Sequence, residues 1–181
     1  MLVLLMCCSY DVVADDNDKK VDNQQHTELL AINSEELLKL IGDSESNLTL
    51  LNFWATWCDP CVEEFPDLVT LSKNYPEDEL RVIFVSTDFE RSLPAVRQFL
   101  VEQNLNFVSY YKNEDDNAFI NAISPKWSGV LPATFLYNST GKELKFWIGR
   151  FIDFDFIEPQ EIDPETGFVL ESSSSLSDEI L

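Results

Sequence analysis

Phe53-Trp-Ala-Thr-Trp-Cys58-Asp-Pro-Cys61 is the stretch whose reading decides the fold. It starts inside an apolar run of strand length, Leu48-Thr-Leu-Leu-Asn-Phe-Trp54, the pattern of a strand covered on both faces. Residues from about 59 to 75 read as a helix, with Val62, Phe65, Leu68 and Val69 on one side and a kink expected at Pro66. The two cysteines therefore stand where a buried strand gives way to a helix. At a helix N-terminus the unpaired N–H groups and the positive end of the dipole favour an anion. A thiol at Cys58 should titrate low there, and the thiolate is the nucleophile. Cys61 lies one turn into the helix, close enough to form a disulfide with Cys58. Pro60 has no N–H to lose at this position and stiffens the turn. Two thiols so spaced can exchange a disulfide with another protein: Cys58 attacks, a mixed disulfide forms and Cys61 resolves it.

Other chemistries fit less well. Half a zinc site needs two more ligands, and the other candidates are Cys7, Cys8 and the single His26, all in the N-terminal extension. His26 reads as a solvated linker residue, and no metal or other cofactor is expected. A structural bridge closing so short a loop gains little chain entropy. A cysteine hydrolase wants a histidine partner, and none lies outside the extension.

Working outward, strands and helices alternate. Asn33-Ser-Glu-Glu36 opens a short helix, with Leu37, Leu38, Leu40 and Ile41 as its apolar stripe and Gly42 as a stop. Leu80-Arg-Val-Ile-Phe-Val-Ser86 is a second buried strand. Ser92 is expected to cap a helix with Pro94 in its first turn, running to about Glu102. Phe107 to Tyr111 reads as a strand and 115–122 as a short helix. Ala133 to Tyr137 and Glu143 to Ile148 flank Asn138-Ser-Thr-Gly141 as a hairpin. This order implies an α/β domain, a mixed sheet with helices on its faces.

The motif around Cys58 resembles thioredoxin-fold proteins, specifically the TlpA/ResA-type, envelope-facing thiol–disulfide oxidoreductases. A second stretch agrees: Gly129-Val-Leu-Pro132-Ala-Thr-Phe-Leu is similar to that family's cis-proline loop ahead of a central strand. The likeness covers roughly residues 27–150. It implies that Pro132 is cis, lies beside the Cys-x-x-Cys pair and, with Leu131, offers backbone to the substrate chain; X–Pro bonds tolerate cis far better than others. It also implies that Trp57, Asp59 and Pro60 face the substrate. Glu64, three after Cys61, matches the family branch's active-site glutamate and would help move the Cys61 proton. The alternative for Glu64 is an exposed helix carboxylate, as Glu63 is expected to be. Ordinary thioredoxins carry a buried Asp six residues before the first cysteine; here that residue is Asn52, which cannot titrate. Asp59 adds negative charge beside a thiolate, and destabilising the reduced form makes the couple more reducing.

The composition narrows the partners. The 181 residues hold 33 Asp and Glu against 12 Lys and Arg, a net charge of −21. Such a surface repels phosphate backbones, so nucleic acid is not expected. Residues 1–36 and 37–150 each carry net −6, and 151–181 carry −9, so the excess sits at the ends. Residues 159–181, with Ser172 to Ser175 in a run, read as an acidic, disordered tail. Residues 1–8 are apolar and end in Cys7-Cys8; with Leu5 three before Cys8, the pattern resembles a bacterial lipoprotein signal in which Cys8 is lipidated. Residues 9–26 then form a polar acidic tether, and 27–158 the thioredoxin-like domain.

The sequence thus points to disulfide reduction on proteins at the periplasmic side of the cell envelope, with cytochrome c maturation as one setting. Disulfide-containing or dithiol proteins are the expected substrates, an upstream membrane thiol the reductant, and a monomer the working form. An oxidase of the same chemistry, a redox-silent binding module and a cytoplasmic location remain open alternatives. A thiol peroxidase fits least, because Thr56 precedes Cys58 by only two residues and the Pro-x-x-x-Thr-x-x-Cys pattern is absent.

Overall fold

Seven consecutive residues of one strand, Leu48–Trp54, are buried, and the rest of the fold is arranged around them. The computed structural model describes residues 28–151. The expectations for Cys7, Cys8, His26, the tether and everything after Phe151 lie outside the described residues. The elements run β1 (Leu29–Ile32), α1 (Ser34–Gly42), β2 (Leu48–Trp54), α2 (Asp59–Asn74), β3 (Leu80–Ser86), α3 (Leu93–Glu102), β4 (Ser109–Lys112), α4 (Asp116–Ile123), β5 (Ala133–Asn138) and β6 (Glu143–Ile148).

They form one six-stranded sheet in the order β1-β4-β3-β2-β5-β6. β2 pairs in parallel with β3 from Leu48↔Leu80 to Trp54↔Ser86, and antiparallel with β5 from Leu48↔Asn138 to Phe53↔Ala133. Side chains alternate across a strand, and here the alternation sorts two cores. Leu50, Trp54, Val82, Phe84 and Leu136 meet α2 and α3 through Phe65, Leu68, Val96 and Leu100. Leu51, Phe53, Ile83, Val85 and Phe135 meet α1 and α4 through Leu37, Ile41, Phe119 and Ile123. The mixed sheet with helices on both faces, expected from the order of elements, is therefore what forms.

Aromatic rings fill both layers. Phe53 stacks on Trp127 at 4.4 Å and meets Phe119 and Phe135 edge-on at 5.8 and 5.9 Å. Phe65 stacks on Phe84 at 4.3 Å on the opposite face. Each such pair contributes about 0.5–1.5 kcal/mol beyond its buried area. With Trp54 tilted against Phe65 at 4.7 Å, aromatic contacts reach β2 on both faces.

Several local expectations are corrected. β1 was not anticipated: Leu-Leu-Ala-Ile is a short edge strand, recognisable only by its parallel pairing with β4. β4 begins at Ser109 rather than Phe107, whose ring instead packs toward Phe84. Ser92 does not cap α3 through its side chain, because a 3-10 turn at Glu90–Ser92 already places it in helical rather than extended backbone. Asn33 does build the expected capping box with Glu36. On α2 the buried stripe is Cys61, Glu64, Phe65, Leu68 and Val69, while Val62 is only half-buried.

Candidate active site

β2 delivers its C-terminus at the edge of the two cores, and the chain turns there once before α2. The Cys58 N–H donates to the Ala55 carbonyl at 3.1 Å, closing the turn. Cys58 is the N-cap of α2 in extended backbone, with Pro60 in the first turn. Its carbonyl accepts from the N–H groups of Cys61 and Val62, both at 3.0 Å. Cys58 and Cys61 form a disulfide, with their Cα atoms 5.2 Å apart. The two sulfurs' residues are not equivalent: Cys58 is 6% exposed and Cys61 fully buried. Of the two, Cys58 alone keeps any exposure.

The turn is held from β3. Asp88, buried just past the end of that strand, accepts from the Thr56 N–H at 2.9 Å, the Thr56 hydroxyl at 2.6 Å and the Ser86 hydroxyl at 2.9 Å. The Thr87 N–H extends the ladder by donating to the Trp54 carbonyl at 2.8 Å. Asp88 was not among the candidate residues. It stands two residues past Ser86, which pairs with Trp54 at the end of β2, and so reaches the turn that follows that strand.

Glu64 is buried, which rules out the exposed-carboxylate alternative. Asn52 and Thr134 occupy alternating positions that face α2, and they meet Glu64 there. Asn52 Nδ2 donates to Glu64 Oε1 and to Thr134 Oγ1, both at 3.0 Å. The Phe151 N–H donates to Glu64 Oε2 at 2.7 Å. Burial pushes the Glu64 carboxyl above the ordinary carboxylate value, and the hydrogen bonds from Phe151 and Asn52 only partly oppose this. Glu63, one residue earlier, is exposed as expected and pairs with Arg150 at 3.1 Å. Asn52 Oδ1 is buried with no partner among the described residues.

The Leu131–Pro132 peptide is cis, as the resemblance implied. Pro132 is buried at the start of β5, and its carbonyl accepts from the Gly149 N–H at 2.9 Å. The Val130 carbonyl is likewise taken, by Trp127 Nε1 at 2.9 Å. Among the described residues nothing occupies the Leu131 N–H or carbonyl, so Leu131 rather than Pro132 has main chain to offer a partner strand. Trp57 is 61% exposed, and Asp59 and Pro60 are exposed beside it. Trp54 is wholly buried and belongs to the core. No cluster of three or more potential metal ligands occurs among the described residues, nor does any helix long and apolar enough to cross a membrane.

Residues 16–142 match the AhpC/TSA family. The chain is 31% identical over 124 residues to the thioredoxin-like protein YneN of Bacillus subtilis (strain 168), covering 68% of this chain and 69% of that protein. It is 30% identical over 113 residues to the thiol-disulfide oxidoreductase ResA of the same strain, covering 62% of this chain and 59% of ResA. Its match thus spans somewhat more than half of ResA's length. The crystal structure of a DsbF homologue from Corynebacterium diphtheriae superposes with a TM-score of 0.54 at 20% identity, over 67% of this chain and 74% of that one. That likeness is one of fold.

Proposed function

The chain belongs to the AhpC/TSA family and has the thioredoxin-like fold with its Cys-x-x-Cys pair, and from that premise we propose that it is a thiol–disulfide oxidoreductase working as a reductase of protein disulfides. The observation that carries this is the asymmetry of the pair: a reachable Cys58 at a helix N-terminus, and a sealed Cys61 one turn behind it. This asymmetry supports Cys58 as the attacking thiol and Cys61 as the resolving one.

In the reduced protein the Cys58 thiolate attacks one sulfur of a substrate disulfide. That S–S bond breaks, a Cys58–substrate disulfide forms and the first substrate thiolate leaves. Cys61 then gives its proton to Glu64, and its sulfur attacks Cys58 Sγ, releasing the second substrate thiolate. Each released thiolate takes up a proton, one of them returned by Glu64. The substrate has gained two electrons and Cys58–Cys61 is left as the disulfide. A dithiol reductant, proposed to be a membrane thiol protein, must restore it.

Glu64 suits the proton step because a carboxyl held above its ordinary value accepts and returns protons nearer to neutrality. The reducing direction is supported by Asp59, whose charge beside Cys58 disfavours the thiolate, and by the burial of Cys61, which does the same. An envelope location, with Cys8 as a lipid anchor, and a part in cytochrome c maturation are the setting we propose for this chemistry.

Two measurements test the reading. A Cys61→Ser variant should accumulate substrates as mixed disulfides through Cys58. The wild-type reduction potential should lie nearer the roughly −270 mV of thioredoxin than the roughly −120 mV of DsbA. A potential near the latter value makes the protein an oxidase. No trapped substrate, together with no reduction of a small disulfide, overturns the exchange reading altogether.

A further inference from the structure

At the end of the sheet remote from the cysteines, part of β3 lacks a neighbour on one side. β3 pairs with β2 along its whole length, from Leu48↔Leu80 to Trp54↔Ser86, but with β4 only at Val85 and Ser86. The Leu48 N–H donates to the Glu79 carbonyl and the Thr87 N–H to the Trp54 carbonyl, so odd-numbered positions of β3 turn their main chain to β2. Even-numbered positions face the other way, and there the Phe84 carbonyl accepts from the Ser109 hydroxyl at 3.3 Å. Val82 faces the same side, and its N–H and carbonyl have no partner among the described residues. Main-chain groups in that state call for one. Val82 lines a cavity of about 330 Å³, whose other apolar walls include Leu80, Phe107 and Val108.

The rim of this cavity is acidic. Glu77 and Arg81 border it and also an adjoining hollow of about 380 Å³, which Glu45 and Asp78 line as well. Asp43 in that hollow pairs with Lys39, but no ion pair among the described residues engages Glu45, Glu77, Asp78 or Arg81. Three unpaired carboxylates against one guanidinium attract cations. The chain that enters β1 arrives at the same place. The Ser109 N–H donates to the Glu28 carbonyl at 2.8 Å, and Val108 beside it is a wall of the cavity. Within residues 1–27 the lysines are Lys19 and Lys20, followed directly by Val21. Val21 stands seven positions before Glu28, and seven residues reach up to about 23 Å when extended.

We propose that Lys19-Lys20-Val21 docks here within the same chain. Val21 adds as a short strand to the β3 edge at Val82, where main-chain bonds supply affinity and the apolar walls take its side chain. The two ammonium groups meet the acidic rim. An open strand edge invites association with other chains, and a segment of the protein's own chain closes it. The docking also orients the disulfide. The cavity lies at the Leu80 end of β3, whereas the cysteines follow the Trp54 end of β2. A docked tether therefore leaves the domain with Cys58 turned away from residues 1–18. Docking of this kind is independent of the exchange chemistry.

Hydrogen exchange of the Val82 amide in the full chain, read by NMR against the Leu50 amide of β2, tests the docking. Val21→Asp, and separately the double variant Lys19→Glu, Lys20→Glu, should speed Val82 exchange about tenfold or more and leave Leu50 unmoved. Glu77 and Asp78 are exposed, so their charges can be reversed without disturbing the core. Adding Glu77→Lys and Asp78→Lys to the lysine double variant should bring Val82 back to within about threefold of wild type. Val82 exchange unmoved by Val21→Asp overturns the proposal. Protection that rises with protein concentration also overturns it, giving the edge to a second copy. Protection removed by Leu170→Asp instead of Val21→Asp overturns it in favour of the C-terminal tail.

Discussion

The Phe151 N–H donates to Glu64 Oε2 at 2.7 Å, so the chain leaving β6 is fastened to the helix that carries both cysteines. The other carboxylate oxygen takes the amide of Asn52 from β2. Glu64 is thus the point where the central strand, α2 and the end of the sheet are joined. The group proposed to move the Cys61 proton also holds these elements together, so its protonation is felt in stability.

That linkage has a definite sign. The folded-state value of Glu64 is raised above its ordinary 4.5, chiefly by burial. The folded protein therefore binds this proton more tightly than the unfolded chain does. The contribution is fully present below 4.5 and is lost as pH rises from there through the folded value. Subtracting the urea stability of Glu64→Gln from that of the wild type cancels the other carboxylates. The difference should fall as pH is raised through this window. A difference that rises with pH would mean that the carboxyl is depressed, not raised.

Asn52 is suited to its place by being an amide. Asn52→Leu should cost about 1–3 kcal/mol in denaturant unfolding, because Glu64 Oε1 and Thr134 Oγ1 lose the donor they share. Asn52→Asp, which restores the ordinary thioredoxin residue, would set a second carboxyl against the first. Like charges at that range resist joint ionisation, so its loss of stability should be greater at pH 8 than at pH 5. A pH-independent loss would show that the two groups do not interact.

Two aspartates near Cys58 should behave oppositely. Asp88→Ala removes the acceptor of three hydrogen bonds that hold the turn before Cys58, and should cost about 1.5–3 kcal/mol. Asp59→Ala, at an exposed position, should stay within about 0.5 kcal/mol of wild type. Thermal or urea unfolding of the oxidised forms decides this, and comparable losses would contradict the assignment of the clamp to Asp88.

Glycines divide in the same way. Gly129→Ala should destabilise by about 1–2 kcal/mol, from its φ of +85°. Gly42→Ala, in the last turn of α1 with nothing within 4 Å of the added Cβ, should stabilise by about 0.4–1 kcal/mol. Differential scanning calorimetry of both variants tests the contrast, which fails if the signs agree.

Much of the scaffold was legible because it is written in short-range pattern. The spans of β2 and β3, the capping box of α1 and the hairpin at Asn138 to Gly141 each follow from residues within a few positions of one another. β1 was not legible, because four residues at a sheet edge carry too little periodicity to stand out. On α2, the pattern marked Val62 as buried, whereas the packed stripe runs through Cys61 and Glu64. A carboxylate on that stripe has no apolar signature to betray its burial.

The Cys-x-x-Cys pair, its place at a helix N-terminus and the proline loop were determined by the sequence itself, since each is a property of neighbours along the chain. The unequal burial of Cys58 and Cys61, the raised Glu64 carboxyl, the Asp88 clamp and the open edge of β3 were decided only by the tertiary structure. Asn52 meets Thr134 across 82 positions and Glu64 meets Phe151 across 87. Solvent exclusion sets the charge state of a group, and exclusion is supplied by elements distant in the chain, so local pattern can place a reactive side chain without revealing how it is tuned.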